Sequence, residues 1–447
     1  MNALISHKTK ILTGRPRIPG DKSISHRALM FGALTIGETM ISGLLEGEDV
    51  LCTAQAMRGL GAKIEKSPDG LWRTYGVGIG NLQTPETPLE MGNSGTSTRL
   101  LIGLVGGHPI KTTFTGDSSL SGRPMKRVIT PLEMMGATFE ATDGDKLPLT
   151  VTGPEDTLAI EYRLPVASAQ VKSAILLAGL NARGTTTVIE EKPTRDHTEK
   201  MLSAFGIDVQ IETLENGASA ISVTGQQDLQ PGAVDVPADP SSAAFPAVAA
   251  ALHEGSEVTL ANIAISDRRN GLYLTLQDMG TDIEFTNKRI QAGEEVADII
   301  VRGHGPLKGV DVDPARVPSM IDEFPILAMA AACADGTTKM TGLAELRVKE
   351  SDRLLMVAEG LKACGVNLEM GEDWLTIHGT GKPPRGLKPG ANAFIQTALD
   401  HRIAMSFLIL GSVTDEPISI DDGTPIATSF PNFVKLMNEL GCDIKVL

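Results

Sequence analysis

The stretch Leu202-Ser-Ala-Phe-Gly-Ile-Asp-Val209 decides the fold, because its pattern recurs five more times along the chain. In each copy two apolar residues stand three positions apart, and a glycine, a small or apolar residue, a variable residue and an apolar residue follow. The other copies occupy residues 57–64, 132–139, 276–283, 361–368 and 437–444.

This pattern predicts a helix, a glycine stop and a strand in every copy. Apolar residues three apart mark the inner face of a helix, and glycine readily takes the left-handed conformation just beyond a helix end. The six glycines lie 70–85 residues apart, a period too long for a solenoid repeat. We therefore expect an α/β fold built from six βαβ-type units, arranged as two domains of three.

The boundary between the two halves is expected in Val234-Asp-Val-Pro-Ala-Asp-Pro240, where prolines and aspartates punctuate the chain. One domain is then 19–235. The other combines 1–18 with 236–447, because the first residues precede the first unit and can return to the second half. Two chain crossovers, near 18–20 and 234–240, would suit hinge closure.

Composition indicates a globular protein whose main partner is not nucleic acid, and one that could bind anions only through a local cluster of Lys and Arg. The 447 residues carry a net charge of −15, whereas a protein whose main partner is nucleic acid is usually basic. The four cysteines do not form a C-x-x-C pair, and no apolar run or N-terminal signal pattern suggests a membrane or export. We expect free thiols, a cytoplasmic location and no membrane partner.

Seven polar segments stand at the starts of apolar stretches and carry most of the candidate chemistry. Each alone has a plain structural explanation, such as a capped helix, a flexible turn or a solvated helix face. Together they supply the clustered cations and small residues that anionic ligands require. The segments are residues 19–27, 92–99, 116–125, 167–173, 319–325, 347–353 and 400–406.

Two of these segments add acidic groups suited to proton transfer. Asp322 and Glu323 enter an apolar helix, either as a charge–dipole pairing or as a general base. A helix through 347–353 would place Lys349 and Arg353 on one face with Glu350 beside them. Neither a metal-ligand framework nor a nucleotide-binding glycine motif occurs in the sequence, so we expect no cofactor and no metal.

In this order the motifs P-G-D-K-S-I-S-H-R, G-N-S-G-T, S-G-R-P-M, A-S-A-Q-V-K-S, D-E-F-P, R-V-K-E-S-D-R and D-H-R-I-A-M-S resemble the EPSP synthase family, and its bacterial class II branch in particular. The resemblance covers almost the whole chain. It implies a two-domain inverse α/β barrel of six β-α-β-α-β-β repeats, three per domain. It also implies a monomeric enzyme of the shikimate pathway, which makes chorismate and the aromatic amino acids.

The resemblance further implies two substrates and a set of residues for each. Shikimate 3-phosphate would be bound by Lys22, Ser23, Arg27, Ser168, Ala169, Gln170, Arg195, Asp322 and Lys349. Phosphoenolpyruvate would be bound by Lys22, Gly95, Arg123, Gln170, Arg353 and Arg402. The catalytic residues would be Asp322, which takes the proton of the 5-hydroxyl, Glu350, which handles the proton at C3, and Lys22, which assists.

Two positions bear on variation within the family. Thr428 stands where many members carry a lysine, so one family cation is unaccounted for. Gly95 stands where glyphosate-tolerant class II members carry alanine, and we therefore expect glyphosate to fit and to inhibit.

Three other functions compete with this interpretation. UDP-N-acetylglucosamine enolpyruvyl transferase shares the fold and the donor, but that family places a reactive cysteine in the loop corresponding to 116–123, and this chain has none there. A relative of RNA 3′-phosphate cyclase is disfavoured by the acidic balance. A non-catalytic anion-binding protein is disfavoured by the presence of both Asp322 and Glu350.

Overall fold

The six repeated glycines all adopt the left-handed conformation in the computed structural model, which describes residues 2–388 and 394–447. Their φ angles lie between 86° and 118°, a region that is strained for residues with a side chain. Each glycine follows a helix and precedes a strand, as the repeat predicts. The glycines are Gly61, Gly136, Gly206, Gly280, Gly365 and Gly441.

The described elements alternate helices and strands along the chain. The strands are β1 Leu4–His7, β2 Thr13–Gly14, β3 Ile36–Ser42, β4 Lys63–Lys66, β5 Trp72–Val77, β6 Leu89–Glu90, β7 Lys111–Thr115, β8 Thr138–Thr142, β9 Lys146–Thr152, β10 Glu161–Arg163, β11 Thr185–Glu190, β12 Val209–Thr213, β13 Ser219–Thr224, β14 Ala233–Asp235, β15 Glu257–Ala264, β16 Asp282–Gln291, β17 Glu294–Arg302, β18 Asp335–Thr341, β19 Asn367–Met370, β20 Trp374–Thr380, β21 Ile418–Ile420 and β22 Asp443–Val446.

The α-helices are α1 Lys22–Leu34, α2 Glu48–Gly59, α3 Gly95–Gly106, α4 Ser118–Ser121, α5 Lys126–Met134, α6 Ala169–Gly179, α7 His197–Ala204, α8 Pro240–Leu252, α9 Gly271–Asp278, α10 Val317–Met320, α11 Phe324–Cys333, α12 Arg353–Ala363, α13 His401–Gly411 and α14 Phe433–Leu440. Short 3-10 helices occupy Pro314–Arg316, Ala344–Val348 and Thr424–Thr428.

The chain divides into two units. The first consists of Met1–Pro19, Ala238–Ile290 and Glu295–Leu447, and the second of Gly20–Pro237 with Gln291–Glu294. The short segment Gln291–Glu294 lies in the second unit, although the predicted boundaries placed it with 236–447. The reason is local, since the buried carboxylate of Glu294 contacts His197 Nδ1 at 2.7 Å and Lys200 Nζ at 3.0 Å.

The second unit contains three four-stranded sheets with the same strand pattern. Their orders are β14-β3-β5-β4, β6-β7-β9-β8 and β10-β11-β13-β12. In each sheet the first pair is parallel and the other two pairs are antiparallel. Because β14 comes from the end of the unit, it completes the sheet that β3 begins.

Among its described residues the first unit also has three sheets, with orders β16-β17-β15-β2, β18-β20-β19 and β21-β1-β22. In the last of these, β1 lies between β21 and β22 and pairs antiparallel with both. The central strand of this sheet therefore lies near the start of the sequence, and its two partner strands lie near the end.

Each unit encloses three helices that are buried on nearly every side. In α8, α11 and α13 almost every residue is buried, and α1, α3 and α6 are buried beyond their first turn. A helix that is apolar all round belongs in a core, whereas α2, α5 and α7 bury only one face. The predicted α/β class is confirmed, and internal helices with sheets around them fit an inverse α/β barrel.

Close packing of α3 against α6 depends on glycine. A Cβ atom added at Gly103 would lie 2.3 Å from the carbonyl oxygen and 2.5 Å from the Cα of Ala174. Since these are backbone atoms of the facing helix, no side-chain rotation would relieve the overlap. This contact brings the two helices, whose first residues are candidate ligands, close to each other.

Candidate active site

In the second unit, the candidate residues cluster at the starts of the three core helices. Asp21 caps α1 by accepting a hydrogen bond from Ile24 N at 2.9 Å, as a short polar residue before an apolar run predicts. The cap leaves Lys22 and Ser23 in the first turn. The ammonium of Lys22 lies 2.9 Å from Asp49 Oδ2, so this predicted ligand is paired with a carboxylate that sequence reasoning missed.

Arg27 lies one turn further along α1 and is buried. Its guanidinium donates to Thr198 Oγ1 at 2.7 Å, to Ser173 Oγ at 2.9 Å and to the carbonyl of Ser23 at 2.9 Å. These partners are neutral, so the guanidinium keeps its positive charge for an anion while its direction is fixed.

The pKa of Arg27 reflects this environment. Burial lowers the pKa to about 10, although the carboxylates of Glu199, Asp21 and Glu294 oppose the shift. The charge of Arg195 also lowers the pKa of Arg27, which indicates that these two predicted ligands lie near each other. The two guanidinium groups repel each other, and a multiply charged anion bound to both would offset that repulsion.

The second core helix, α3, begins at Gly95 after the capping residue Ser94. Arg123 reaches this helix start, where it donates to Asn93 Oδ1 at 2.8 Å and to Ser119 Oγ at 2.9 Å. A Cβ atom at position 95 would lie 2.9 Å from Arg123 Nη1 and 3.1 Å from Arg99 Nη1. Glycine therefore leaves room for two guanidinium groups at the helix start.

The third core helix, α6, begins at Ala169 after the capping residue Ser168. The Gln170 side chain accepts from Arg99 Nη1 at 2.9 Å and donates to Thr96 Oγ1 at 2.9 Å. These bonds join the starts of α3 and α6. Arg99 is a further cation of this cluster that the sequence motif contains but that was not predicted as a ligand.

In the first unit, the candidate residues converge on Arg353, whose side chain is 1% exposed. Its guanidinium contacts Asp400 Oδ2 at 2.7 Å, Glu350 Oε2 at 2.5 Å and Asp322 Oδ1 at 3.1 Å. Burial by itself lowers the pKa of Arg353, but the carboxylates of Asp400, Glu350 and Asp322 together raise it. The two predicted acid–base carboxylates thus share one guanidinium.

Lys349 and Arg402 complete this group. Lys349 Nζ lies 3.4 Å from Asp322 Oδ1, and Arg402 Nη1 donates to the carbonyl of Asp322 at 3.3 Å. The predicted helix through 347–353 is wrong, because Asp352 caps α12 and the helix begins only at Arg353. Lys349 nevertheless reaches the same carboxylate oxygen as Arg353.

Asp400 is a second carboxylate that sequence reasoning did not assign. It is fully buried, it caps α13 by accepting from Arg402 N at 2.9 Å, and it also accepts from Ser351 Oγ at 3.1 Å. An aspartate directly before an apolar stretch was the available sequence signal. Its role as the partner of Arg353 depends on a contact between residues 47 positions apart.

Thr428, which stands at the place of a family lysine, ends a 3-10 helix, and its hydroxyl donates to the carbonyl of Pro425 at 2.8 Å.

Among the described residues no group of His, Cys, Asp and Glu is arranged to hold a metal ion. No helix in the described part of the chain is long and apolar enough to span a membrane. All four cysteines are free, and Cys52 is only partly buried.

Comparison with known proteins identifies the family. The family model of EPSP synthase (3-phosphoshikimate 1-carboxyvinyltransferase) matches residues 6–437. The 3-phosphoshikimate 1-carboxyvinyltransferase of Paramagnetospirillum magneticum is 58% identical over 441 residues, which cover 99% of this chain and 98% of that protein. The protein of the same name from Parvibaculum lavamentivorans is 56% identical over 440 residues, which cover 98% and 96%.

A solved structure of EPSP synthase from Acinetobacter baumannii has the same fold. It superposes with a TM-score of 0.87 at 45% identity, and the match covers 100% of both chains. The resemblance inferred from seven motifs is confirmed, as is the enzyme activity that it implied, and the UDP-N-acetylglucosamine transferase alternative is not favoured. The chain belongs to the EPSP synthase family of 3-phosphoshikimate 1-carboxyvinyltransferases.

Proposed function

We propose that the residues clustered at the core helix starts bind and convert the two substrates of the family reaction. The chain is a carboxyvinyltransferase of the shikimate pathway. It moves the enolpyruvyl group of phosphoenolpyruvate to the 5-hydroxyl of shikimate 3-phosphate. The observation that best supports the site assignment is the convergence of Asp322 and Glu350 on Arg353.

Shikimate 3-phosphate is assigned to a set of polar and cationic groups. Arg27 and Arg195 provide two cations that lie near each other, which suits an anion, and Ser168 stands at the start of a helix, where backbone N–H groups favour an anion. The full set is Lys22, Ser23, Arg27, Ser168, Ala169, Gln170, Arg195, Asp322 and Lys349.

Phosphoenolpyruvate carries a carboxylate and a phosphate that repel each other, so it requires several cations in a desolvated site. Arg123 is held by neutral groups and keeps its charge, and Gly95 leaves the space beside it open. The full set is Lys22, Gly95, Arg123, Gln170, Arg353 and Arg402. The hinge crossovers expected near 18–20 and 234–240 remain a prediction.

In the proposed mechanism, the oxygen of the 5-hydroxyl of shikimate 3-phosphate bonds to C2 of phosphoenolpyruvate while Asp322 accepts the proton of that hydroxyl. C3 takes a proton from Glu350, assisted by Lys22, which gives a tetrahedral adduct. C3 then returns a proton to Glu350 as the C2–O bond to phosphate breaks and the C2–C3 double bond re-forms. The proton held by Asp322 passes to the departing phosphate, so the vinyl ether and inorganic phosphate leave with both carboxyl groups in their starting states. The proposed base faces two cations, since Lys349 Nζ and Arg353 Nη1 lie 3.4 and 3.1 Å from Asp322 Oδ1.

Phosphate release from the purified protein tests this proposal. Release should require both phosphoenolpyruvate and shikimate 3-phosphate. Asp322→Asn should lower kcat at least about 100-fold, because general acid–base catalysis contributes about 10²–10⁴-fold. Asp311→Asn is the matched control, since this exposed carboxylate of the same unit lies 3.7 Å from Lys339 and away from the cluster. Release that depends on UDP-N-acetylglucosamine, or full activity of Asp322→Asn, would refute the assignment.

We also propose that glyphosate inhibits the enzyme by competing with phosphoenolpyruvate, because Gly95 leaves room beside Arg123. An inhibition constant in the millimolar range would contradict this.

We further propose a monomer in the cytoplasm, where free thiols such as the four found here are stable. Light scattering of the purified protein should give a mass near 47.2 kDa, and a mass twice as large would refute the monomer.

A further inference from the structure

The second unit contains a buried lysine that the proposed chemistry does not use. Lys172 lies on α6 one turn after Ser168, and its side chain is 1% exposed. Its ammonium contacts Glu199 Oε1 at 2.6 Å and both carboxylate oxygens of Glu190 at 3.2 Å. The two glutamates are also buried. An ammonium between two buried carboxylates is costly to desolvate, and such groups are retained in cores only when they are well paired.

The first glutamate connects Lys172 with the loop that carries Arg195. Glu190 ends β11, and its Oε2 accepts hydrogen bonds from Thr194 Oγ1 at 2.7 Å and from Thr194 N at 3.2 Å. These bonds close the turn immediately before Arg195. The position of that cation therefore depends on a carboxylate that Lys172 holds.

The second glutamate connects Lys172 with Arg27. Glu199 lies in the first turn of α7 next to Thr198, whose hydroxyl accepts from Arg27 Nε at 2.7 Å. Ser173, the neighbour of Lys172 on α6, contacts the Thr198 hydroxyl at 2.7 Å and accepts from Arg27 Nη2 at 2.9 Å. The direction of the Arg27 guanidinium is thus set by two hydroxyl groups on the helices that the Lys172–Glu199 pair joins.

Glu199 also couples Lys172 to Arg27 through its charge. It is the strongest of the carboxylates that counteract the lowering of the Arg27 pKa. The same carboxylate contacts the Lys172 ammonium at 2.6 Å. Loss of Lys172 would leave Glu199 without that ammonium, and its charge would then draw the Arg27 guanidinium away from an incoming anion.

We propose that Lys172 is a positioning residue for the acceptor substrate, shikimate 3-phosphate. It holds Glu190 and Glu199 so that Arg27, Arg195 and the start of α6 are in place before the anion binds. Sites of this kind lose function when their supporting contacts leave the ligating groups about 1 Å out of place. This inference rests on the proposed assignment of Arg27, Arg195 and Ser168 to that substrate.

Four variants, one of them a control, test the proposal in the full-length enzyme. The double variant Lys172→Met/Glu199→Gln removes one cation and one anion, so the buried net charge is unchanged. We expect its KM for shikimate 3-phosphate to rise at least tenfold, with the KM for phosphoenolpyruvate and kcat within threefold of the wild type. The single variant Lys172→Arg retains the positive charge, and its KM for shikimate 3-phosphate should lie within threefold of the wild-type value.

Leu132→Ala is the control for a purely structural effect, because this buried residue of α5 belongs to the core of the same unit. It should lower the melting temperature without changing either KM. If the double variant does not fold, Glu190→Gln decides, since it removes one carboxylate and retains the Lys172–Glu199 pair. Its KM for shikimate 3-phosphate should rise three- to tenfold.

The outcomes separate this inference from the assigned function. A wild-type enzyme without activity on the two substrates would refute the function itself. An active wild type, with variants at Lys172 and Glu190 whose KM for shikimate 3-phosphate stays within twofold, would refute only the positioning role. An equal rise of both KM values, or the same rise in Leu132→Ala, would also overturn it.

Discussion

Substitution of Gly95 by alanine adds one methyl group at a point where the structure defines what it would touch. The residue is the first of α3 and its φ angle is not in the left-handed region, so alanine adopts the backbone without strain. The new Cβ would lie 2.9 Å from Arg123 Nη1 and 3.1 Å from Arg99 Nη1. Both neighbours are the ends of flexible side chains, so the fold should tolerate the change.

The effect on ligand binding follows from the displacement of Arg123. An ordinary contact between heavy atoms needs about 3.5 Å, so the guanidinium must move by about 0.5 Å. It is anchored to Asn93 and Ser119 by bonds of 2.8 and 2.9 Å, which such a shift would strain. Loss of one charge-assisted hydrogen bond to phosphoenolpyruvate costs about 1.5–3 kcal/mol. Since about 1.4 kcal/mol is a factor of ten, we expect its KM to rise about 10- to 100-fold.

The assay is phosphate release at saturating shikimate 3-phosphate with varied phosphoenolpyruvate, together with a thermal melt. Gly106→Ala at the other end of the same helix is the matched control. There the added Cβ would meet only carbon atoms of Leu132 and Ala137, at 3.5 Å or more, and the KM should not change. A KM for Gly95→Ala within twofold of the wild type, with normal melting, would refute the reasoning. Glyphosate inhibition should weaken by at least the same factor.

Further predictions concern packing, pH and the cation that was missed. Gly103→Ala should destabilise the second unit by more than about 3 kcal/mol, because the new Cβ overlaps backbone, and an unchanged melting temperature would contradict this. Burial raises the pKa of Glu294, but hydrogen bonds and charge from His197 and then Lys200 lower it to about 2. A carboxylate with a depressed pKa stabilises the fold above its unfolded pKa of about 4.5, and this is lost as the pH falls towards 2. The melting temperature difference between the wild type and Glu294→Gln should therefore be largest above about pH 5 and shrink below it, and a pH-independent difference would refute the assignment. Arg99→Met should remove one of the two hydrogen bonds of the Gln170 side chain and raise the KM of both substrates about tenfold, and a KM change confined to one substrate would argue against a shared role.

Structural features that depend on residues close together in the sequence, such as helix starts and ends, could be predicted. The six glycines follow from the rule for helix ends, and the starts of α1 and α6 follow from the capping residues Asp21 and Ser168. The start of α12 was missed, because four-residue spacing suggested a helix from Lys349 while Asp352 places the cap later. Local periodicity does not say which of several polar residues a chain uses as a cap.

Partners distant in the chain could not be predicted. Arg353 and Asp400, or Lys172 and Glu190, meet only because the sheets bring separate repeats together. A buried charged residue looks the same in the sequence as a solvated one, so the sequence does not distinguish Lys172 from an exposed lysine at the start of a helix. The candidate ligands themselves were named by resemblance, whereas the residues that hold them required the fold.

The position of β1 between β21 and β22 has a consequence for synthesis on the ribosome. Gly20–Pro237 is nearly the whole of the second unit, so that unit can begin to fold while the rest of the chain is still being made. β1 leaves the ribosome first, but its two neighbours follow about 400 residues later, which at about 5–20 residues per second is roughly 20–80 s. During that interval β1 has neither partner, and we expect it to be accessible to proteases and chaperones in nascent chains. Limited proteolysis of stalled chains that end before β21 should cleave near β1, and protection there would contradict this.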